Sequence, residues 1–221
     1  MIKHLFFDLD GTLVDSADSI SWSFIEAAKP FSDRVVTQDQ VIPLLGGFRL
    51  RVFEDLYGLA GEDLLAAKAH YGTVINGDGY LKEKLYPGIR ELLLELSILP
   101  ELELSICSAR RAAGSIQSLR YAGIETLFTP VIGPDERGQE NKAQVLREHM
   151  EAYGMDPLET LMVGDMVGDI HAAKENRVSS IALSYGFGTL QDMEATGADY
   201  LAHSVSELRE ILLPLLREGR E

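Results

Sequence analysis

The stretch Leu5-Phe6-Phe7-Asp8-Leu9-Asp10-Gly11-Thr12 limits what this chain can fold into more than any other. Its apolar half has the aromatic character of a buried strand. The strand then ends in acid. Asp8 and Asp10 are two apart, so on an extended segment they point to the same side while Leu9 points the other way. Gly11 lets the chain turn at once and brings backbone close to a ligand. Two crowded carboxylates repel, and such a pair calls for a cation or a shared proton. A surface aspartate pair in a polar turn is the plainer explanation. The apolar run before Asp8 weighs against it, because burial makes an unpaired charge costly.

Downstream, the pattern divides the chain. Residues 17–85 read as helices. Ile20, Phe24, Ile25 and Ala28 lie on one, before Pro30. A second follows Thr37 as N-cap and ends at Gly46-Gly47. A third carries Leu50, Phe53, Leu56 and Tyr57 and stops at Gly58, and a fourth runs through Leu64, Leu65, Ala67, Lys68 and Tyr71. No strand is expected among them. After Leu85-Tyr86-Pro87-Gly88, helix and strand alternate. Strands are predicted at 102–107, 130–133, 160–163 and 178–183, with helices over 89–99, 112–122, 142–153, 168–176 and 205–217. Such alternation makes a parallel sheet covered on both faces, and ligands sit beyond the carboxyl ends of its strands. The expected fold is α/β: a doubly wound, Rossmann-like parallel sheet from 1–15 and 87–221, with an all-helical insertion at 16–86.

Three later stretches add chemistry. Ser108 falls where the second sheet strand should end, in Ser105-Ile106-Cys107-Ser108-Ala109-Arg110. Lys142 opens a helix, where a cation is slightly misplaced for helix stability alone. Leu161-Met162-Val163-Gly164-Asp165 is a second apolar run ending in acid, with Asp169 four residues on. Helix capping explains one of these two aspartates but not both. If Asp8, Asp10, Asp165 and Asp169 meet, the cluster costs several kcal/mol per buried charge, an order of magnitude that a hard divalent cation would offset.

The first run resembles the Asp-x-Asp-Gly-Thr motif of the haloacid dehalogenase-like hydrolases, with Leu13-Val14-Asp15-Ser16 following as in the phosphoglycolate phosphatase-like subgroup. Ser108, Lys142 and Gly164-Asp165-x-x-x-Asp169 resemble the later motifs in the right order. The resemblance implies a Mg²⁺-dependent phosphatase of a small phosphorylated metabolite, such as phosphoglycolate, a sugar phosphate or a nucleotide. It implies Asp8 as nucleophile and Asp10 as general acid and base. Ser108 and Lys142 would hold the phosphoryl group, with Thr12 and Ala109 lining its pocket. Asp8, the Asp10 carbonyl, Asp165 and Asp169 would bind the metal. The helical insertion would be a mobile cap in which Gly46 and Arg49 meet substrate, Arg51 being a weaker candidate. The chain departs from its nearest relatives at Ala109-Arg110, where Asn-Lys is usual, and at Ala143, where proline is usual.

Alternatives divide on single residues. Dehalogenases lack the second aspartate of the first motif. A phosphomutase of the β-phosphoglucomutase type has a cap lysine that Leu45-Gly46-Gly47-Phe48-Arg49 lacks. A phosphonate hydrolase needs a Schiff-base lysine, which Arg49 cannot supply. A catalytically silent binding protein is the reading from another class, and the full set of acids argues against it. The formal net charge of −15 argues against a nucleic-acid partner. No uninterrupted apolar run is long enough to span a membrane. The single cysteine, Cys107, sits in an apolar run and cannot form an internal disulfide, which fits a reducing cytoplasm; a monomer or homodimer is expected.

Overall fold

The computed structural model describes residues 1–46, 51–134 and 141–217. The chain divides into two compact units, Met1–Val14 with Leu85–Glu221, and Asp15–Lys84. It opens with β1 (His4–Phe7) and, after a tight loop, the two-residue β2 (Val14–Asp15).

The Asp15–Lys84 unit carries α1 (Ala17–Ala28), α2 (Gln38–Val41), α3 (Val52–Tyr57) and α4 (Gly61–Gly77). Its core is aromatic: Phe24 stacks on Tyr71 at 4.2 Å between ring centroids and meets Phe53 edge-on at 5.1 Å. One long helix was expected after Thr37. Instead α2 is four residues and passes into a 3₁₀ turn at Ile42–Leu44. Pro43 accounts for this, since it lacks an amide proton and its ring crowds the preceding turn. The unit ends at β3 (Lys84–Leu85), which pairs with β2 as a two-stranded ribbon where the chain passes between units. The sequence pattern predicts no strand in this stretch, because a two-residue strand carries too little alternation to be visible.

The remaining elements are α5 (Ile89–Ser97), β4 (Glu103–Cys107), α6 (Ala112–Tyr121), β5 (Val131–Ile132), α7 (Lys142–Tyr153), β6 (Thr160–Gly164), α8 (Val167–Glu175), β7 (Ser179–Leu183), α9 (Leu190–Thr196), β8 (Tyr200–Ala202) and α10 (Val205–Arg217). The sheet runs β5-β4-β1-β6-β7-β8, and every pairing in it is parallel. The doubly wound fold expected from the alternation is therefore present. Sequence reading passed over α9 and β8. The strand is three residues at the sheet edge, partly exposed, and shows neither alternation nor a continuous apolar run.

Burial on both faces explains why β1 has no polar alternation. Leu5 and Phe7 face one core with Ile106, Val163, α5 and α10, whereas Phe6 faces the other with Cys107, Met162, Val145 and Leu146. The register is tight at the functional end. Phe7 lies opposite Ile106 on one side and Val163 on the other. β1 is thus the central strand, and the chain leaves it in both directions. The switch point lies between β1 and β6, so the segments that follow these two strands share one crevice.

Among the described residues, no helix is long and apolar enough to cross a membrane. For the helical unit, Phe24→Ala should remove its central ring and cost about 3–5 kcal/mol. The only tryptophan, Trp22, lies on the same helix, so its fluorescence reports this unit. The expected result is a lower urea midpoint by that probe; an unchanged midpoint would show that the ring carries no packing.

Candidate active site

β1 stops at Phe7, but the Asp8 amide still donates to Val163 O at 2.9 Å, so Asp8 leaves the sheet beside the end of β6. The chain then closes on itself: the Leu13 and Val14 amides both return to Leu9 O at 3.0 Å. Gly11 sits at φ +83°, and a Cβ there would collide with the Asp165 carboxylate. Glycine is therefore required twice over, by backbone and by space.

Asp165 follows β6 and is fully buried. Thr12 Oγ1 donates to its Oδ1 at 2.8 Å, and the Phe187 amide donates to its Oδ2 at 2.8 Å. Asp169 lies in the first turn of α8, where its Oδ2 accepts the Met166 amide at 2.9 Å. It thus caps the helix with one oxygen while the other meets Lys142. Lys142 is the first residue of α7, and its Nζ also lies 2.9 Å from Asp8 Oδ1. One ammonium therefore bridges two of the acids.

Carboxylate oxygens of Asp8, Asp165 and Asp169 lie within 4.8 Å of one another, and all three residues are buried. Of the four expected acids, these three could share one cation through their carboxylates, and Asp10 stands beside them. The Asp10 carboxylate is held instead by Arg110, with Nη2 2.5 Å from Oδ1 and Nε 3.2 Å from Oδ2. Asp10 lies in the loop beyond β1, bridged to Val14, and its carboxylate meets the Arg110 fork while its charge still acts on Asp8.

Burial pushes Asp8 up to about 6, with Lys142 opposing and the charges of Asp169 and Asp10 adding to it. Burial and the neighbouring charges of Asp8 and Asp169 push Asp165 up to about 8, outweighing the Phe187 amide and the Thr12 hydroxyl. Burial works against the Lys142 ammonium, but Asp169 and Asp8 outweigh it and hold the proton more firmly than usual. Four acids against two described cations leave an excess of negative charge. A proton on Asp165 relieves it in part. An all-carboxylate donor set also fits a hard divalent cation, so Asp8, Asp165 and Asp169 are the residues to hold one.

The other sequence candidates fall as follows. Ser108 ends β4, is buried, and accepts the Arg110 amide on Oγ at 3.1 Å, which leaves its proton to donate. Ala109 is exposed in the bend after it. Thr12 is fully buried, and its hydroxyl is directed to Asp165 rather than to a ligand. Gly46 lies in the turn after the 3₁₀ segment of the helical unit, and Arg49 lies outside the described residues. Arg51 pairs with Asp55 at 3.4 Å on the surface. Burial pushes the Cys107 thiol up to about 12, so it is an inert core residue.

Sequence reasoning did not foresee the Arg110 fork on Asp10. Nor did it assign a role to Tyr185, whose hydroxyl donates to Thr12 O at 2.9 Å while its ring meets Tyr86 edge-on. The loop Ser184-Tyr185-Gly186-Phe187-Gly188 after β7 resembles the family's last site-facing loop, although its glycines fit a plain turn equally well. A Cβ at Gly186 would collide with Gly11 O and the Asp165 side chain, so that loop packs directly on the acidic turn.

Comparison with known proteins follows the same lines. The family model described as "Haloacid dehalogenase-like hydrolase" matches residues 5–183. The chain is 29% identical over 220 residues to a phosphoglycolate phosphatase of Vibrio parahaemolyticus, covering 96% of each chain. It is 28% identical over 210 residues to a protein of Mycobacterium tuberculosis named tyrosine-protein kinase PtkA, covering 93% of this chain and 71% of that one. Among solved structures, one titled a predicted phosphatase from Clostridium acetobutylicum superposes with a TM-score of 0.86 at 28% identity, covering 97% of this chain and 99% of that one.

The raised carboxyl groups predict a pH dependence of stability. Asp8 and Asp165 bind protons in the folded chain at pH values where the unfolded chain, at 3.8, has released them. The cation-free protein should therefore lose stability as pH rises from about 4 to about 8, by an amount on the order of a few kcal/mol. Thermal melts in chelator across that window check it. Asp165→Asn should flatten the slope and raise the melting temperature near pH 8; a slope identical to wild type would show that Asp165 is ionised throughout.

Proposed function

This chain belongs to the haloacid dehalogenase-like hydrolase family, and on that premise we propose that it is a phosphatase of small phosphorylated metabolites that works through an aspartyl phosphate on Asp8. The observation that carries the reading is the position of Asp8, a buried carboxylate at the switch point with Lys142 Nζ 2.9 Å away. An ammonium there neutralises both the nucleophile and an arriving phosphoryl group, the preorganised stabilisation that phosphoryl transfer needs.

An Asp8 oxygen attacks phosphorus, and the bond from phosphorus to the ester oxygen breaks. Asp10 gives its proton to the leaving alkoxide. Asp10 then takes a proton from water, the water oxygen bonds to phosphorus, and the bond from Asp8 to phosphorus breaks to release orthophosphate. Ser108 donates its hydroxyl proton to a phosphoryl oxygen, and Lys142 carries charge on the same group. Asp8, Asp165, Asp169 and the Asp10 carbonyl would hold Mg²⁺, which would supply further charge neutralisation of the transferring group. Thr12, Tyr185 and the Phe187 amide keep Asp165 and its turn in place.

The Asp15–Lys84 unit is the substrate-selecting cap in this reading, with Gly46 and Arg49 its candidate contacts. The Vibrio relative's name supports a short anionic phosphate such as phosphoglycolate as the first substrate to try. Sugar phosphates and nucleotides belong in the same screen. A cytoplasmic monomer or homodimer acting on free metabolites accords with the acidic composition.

The test is a panel of phosphate esters with and without Mg²⁺, scored by orthophosphate release. Orthophosphate marks hydrolysis. An isomeric phosphate would mark a mutase, and phosphate retained on an added protein would mark a kinase. Asp8→Asn should abolish turnover and covalent labelling. Asp10→Asn should slow turnover by about 10²–10⁴-fold. With p-nitrophenyl phosphate it should accumulate phosphate on Asp8, because a good leaving group needs little acid help while water still needs a base. Release of nitrophenol by Asp10→Asn without any such adduct in quenched enzyme would mean that water attacks phosphorus directly.

A further inference from the structure

Arg110 has no role in the mechanism just given, yet it makes the closest contact to Asp10 among the described residues. Its fork meets both carboxylate oxygens, Nη2 to Oδ1 at 2.5 Å and Nε to Oδ2 at 3.2 Å, with the two side chains only 10% and 6% exposed. The arginine is itself fixed. Its Nη1 donates to Ser118 Oγ on α6 at 2.5 Å, and its backbone amide donates to Ser108 Oγ at 3.1 Å. Ser118 and Ser108 are both 1% exposed. We propose that Arg110 is a positioning residue for the proton-transfer step: it holds the Asp10 carboxylate in place through a bidentate fork anchored on α6 and the end of β4. This rests on the phosphatase reading, in which Asp10 carries the proton.

The argument is one of degrees of freedom. Asp10 sits in a loop, and a lone aspartate there can rotate about two side-chain bonds. A single-point contact fixes one oxygen and leaves rotation about it. A planar guanidinium meeting both oxygens removes that rotation, and a lysine at the same place could not. A buried ion pair is weak evidence for a stability role, because desolvation consumes much of its attraction. Orientation is a different matter, since a misplacement of about 1 Å in a reacting group can cost about 10²-fold in rate. Among the described residues the site thus has two cations with separate tasks. Lys142 is a point charge shared by Asp8 and Asp169, while Arg110 forks onto Asp10.

A double-mutant cycle tests this, with wild type, Arg110→Met, Asp10→Asn and the double variant assayed as full-length proteins with Mg²⁺. The probes are phenyl phosphate, a poor leaving group, and p-nitrophenyl phosphate, a good one. Arg110→Met should lower kcat on phenyl phosphate by about 10–100-fold. Its KM should change by less than about twofold, and the burst of nitrophenol from p-nitrophenyl phosphate should fall far less. Arg110→Lys should lie between wild type and Arg110→Met, and it serves alone if the methionine variant does not fold. In the Asp10→Asn background the arginine substitution should cost less than about twofold more, because groups acting as one unit are not additive. The proposal is overturned if the arginine loss multiplies in full on top of Asp10→Asn, or if KM rises on both esters alike, which would make Arg110 a phosphate-binding group. A wild type that hydrolyses neither ester nor any member of the substrate panel would instead remove the phosphatase reading on which the proposal stands.

Discussion

Like charge gathered in a dry place is the constraint on which this structure depends. Asp8, Asp165 and Asp169 are almost wholly shielded from solvent and lie within a few ångströms of one another. Nothing in their own chemistry favours that arrangement. It exists because β1 and β6 are parallel neighbours in register, Phe7 opposite Val163, so the segments leaving both strands enter the same crevice. The sheet is stabilised by apolar burial on both faces, and that stability offsets the repulsion at the carboxyl ends of its central strands.

The surrounding residues can be understood as answers to that repulsion. Lys142 places one ammonium between Asp8 and Asp169. Its position at the start of α7 is unfavourable for the helix dipole, and Asn141 offsets this by capping the same helix, its Oδ1 accepting the Gln144 amide at 2.9 Å. Asp169 has the opposite relation to α8, where an anion in the first turn is favourable. Asp165 is the least compensated of the three. Two neutral donors reach it and no described cation does, and burial moves it further from the usual carboxylate range than Asp8.

Asp10 belongs to a different subsystem, although it is two residues from Asp8. The loop that turns at Gly11 brings its carboxylate to the Arg110 fork, outside the three acids that could share one cation but close enough for its charge to act on Asp8. The two aspartates therefore meet different cations: Asp8 the Lys142 ammonium, Asp10 the Arg110 guanidinium. The loop after β7 closes the remaining side, with Gly186 against Gly11 and Tyr185 bonded to Thr12 O.

What the sequence determined by itself was local. Apolar runs ending in Asp8 and in Gly164-Asp165 name strand ends, and the spacing to Asp169 places it in a first helical turn; both are properties of a few adjacent residues. The alternation of elements after residue 85 was enough for a parallel doubly wound sheet, because parallel strands require crossovers. Tertiary structure alone decided which partners those acids meet. Arg110 and Asp10 are 100 residues apart, and Thr12 and Asp165 are 153 apart, so no periodicity links them. An arginine after a strand is indistinguishable in sequence from a solvated one until the fold buries it. The same holds for the short edge strand β8, which exists only because β7 offers it a hydrogen-bonding edge. Residue type and near spacing set the chemistry that was available; the sheet register and two tight turns set which charge faces which.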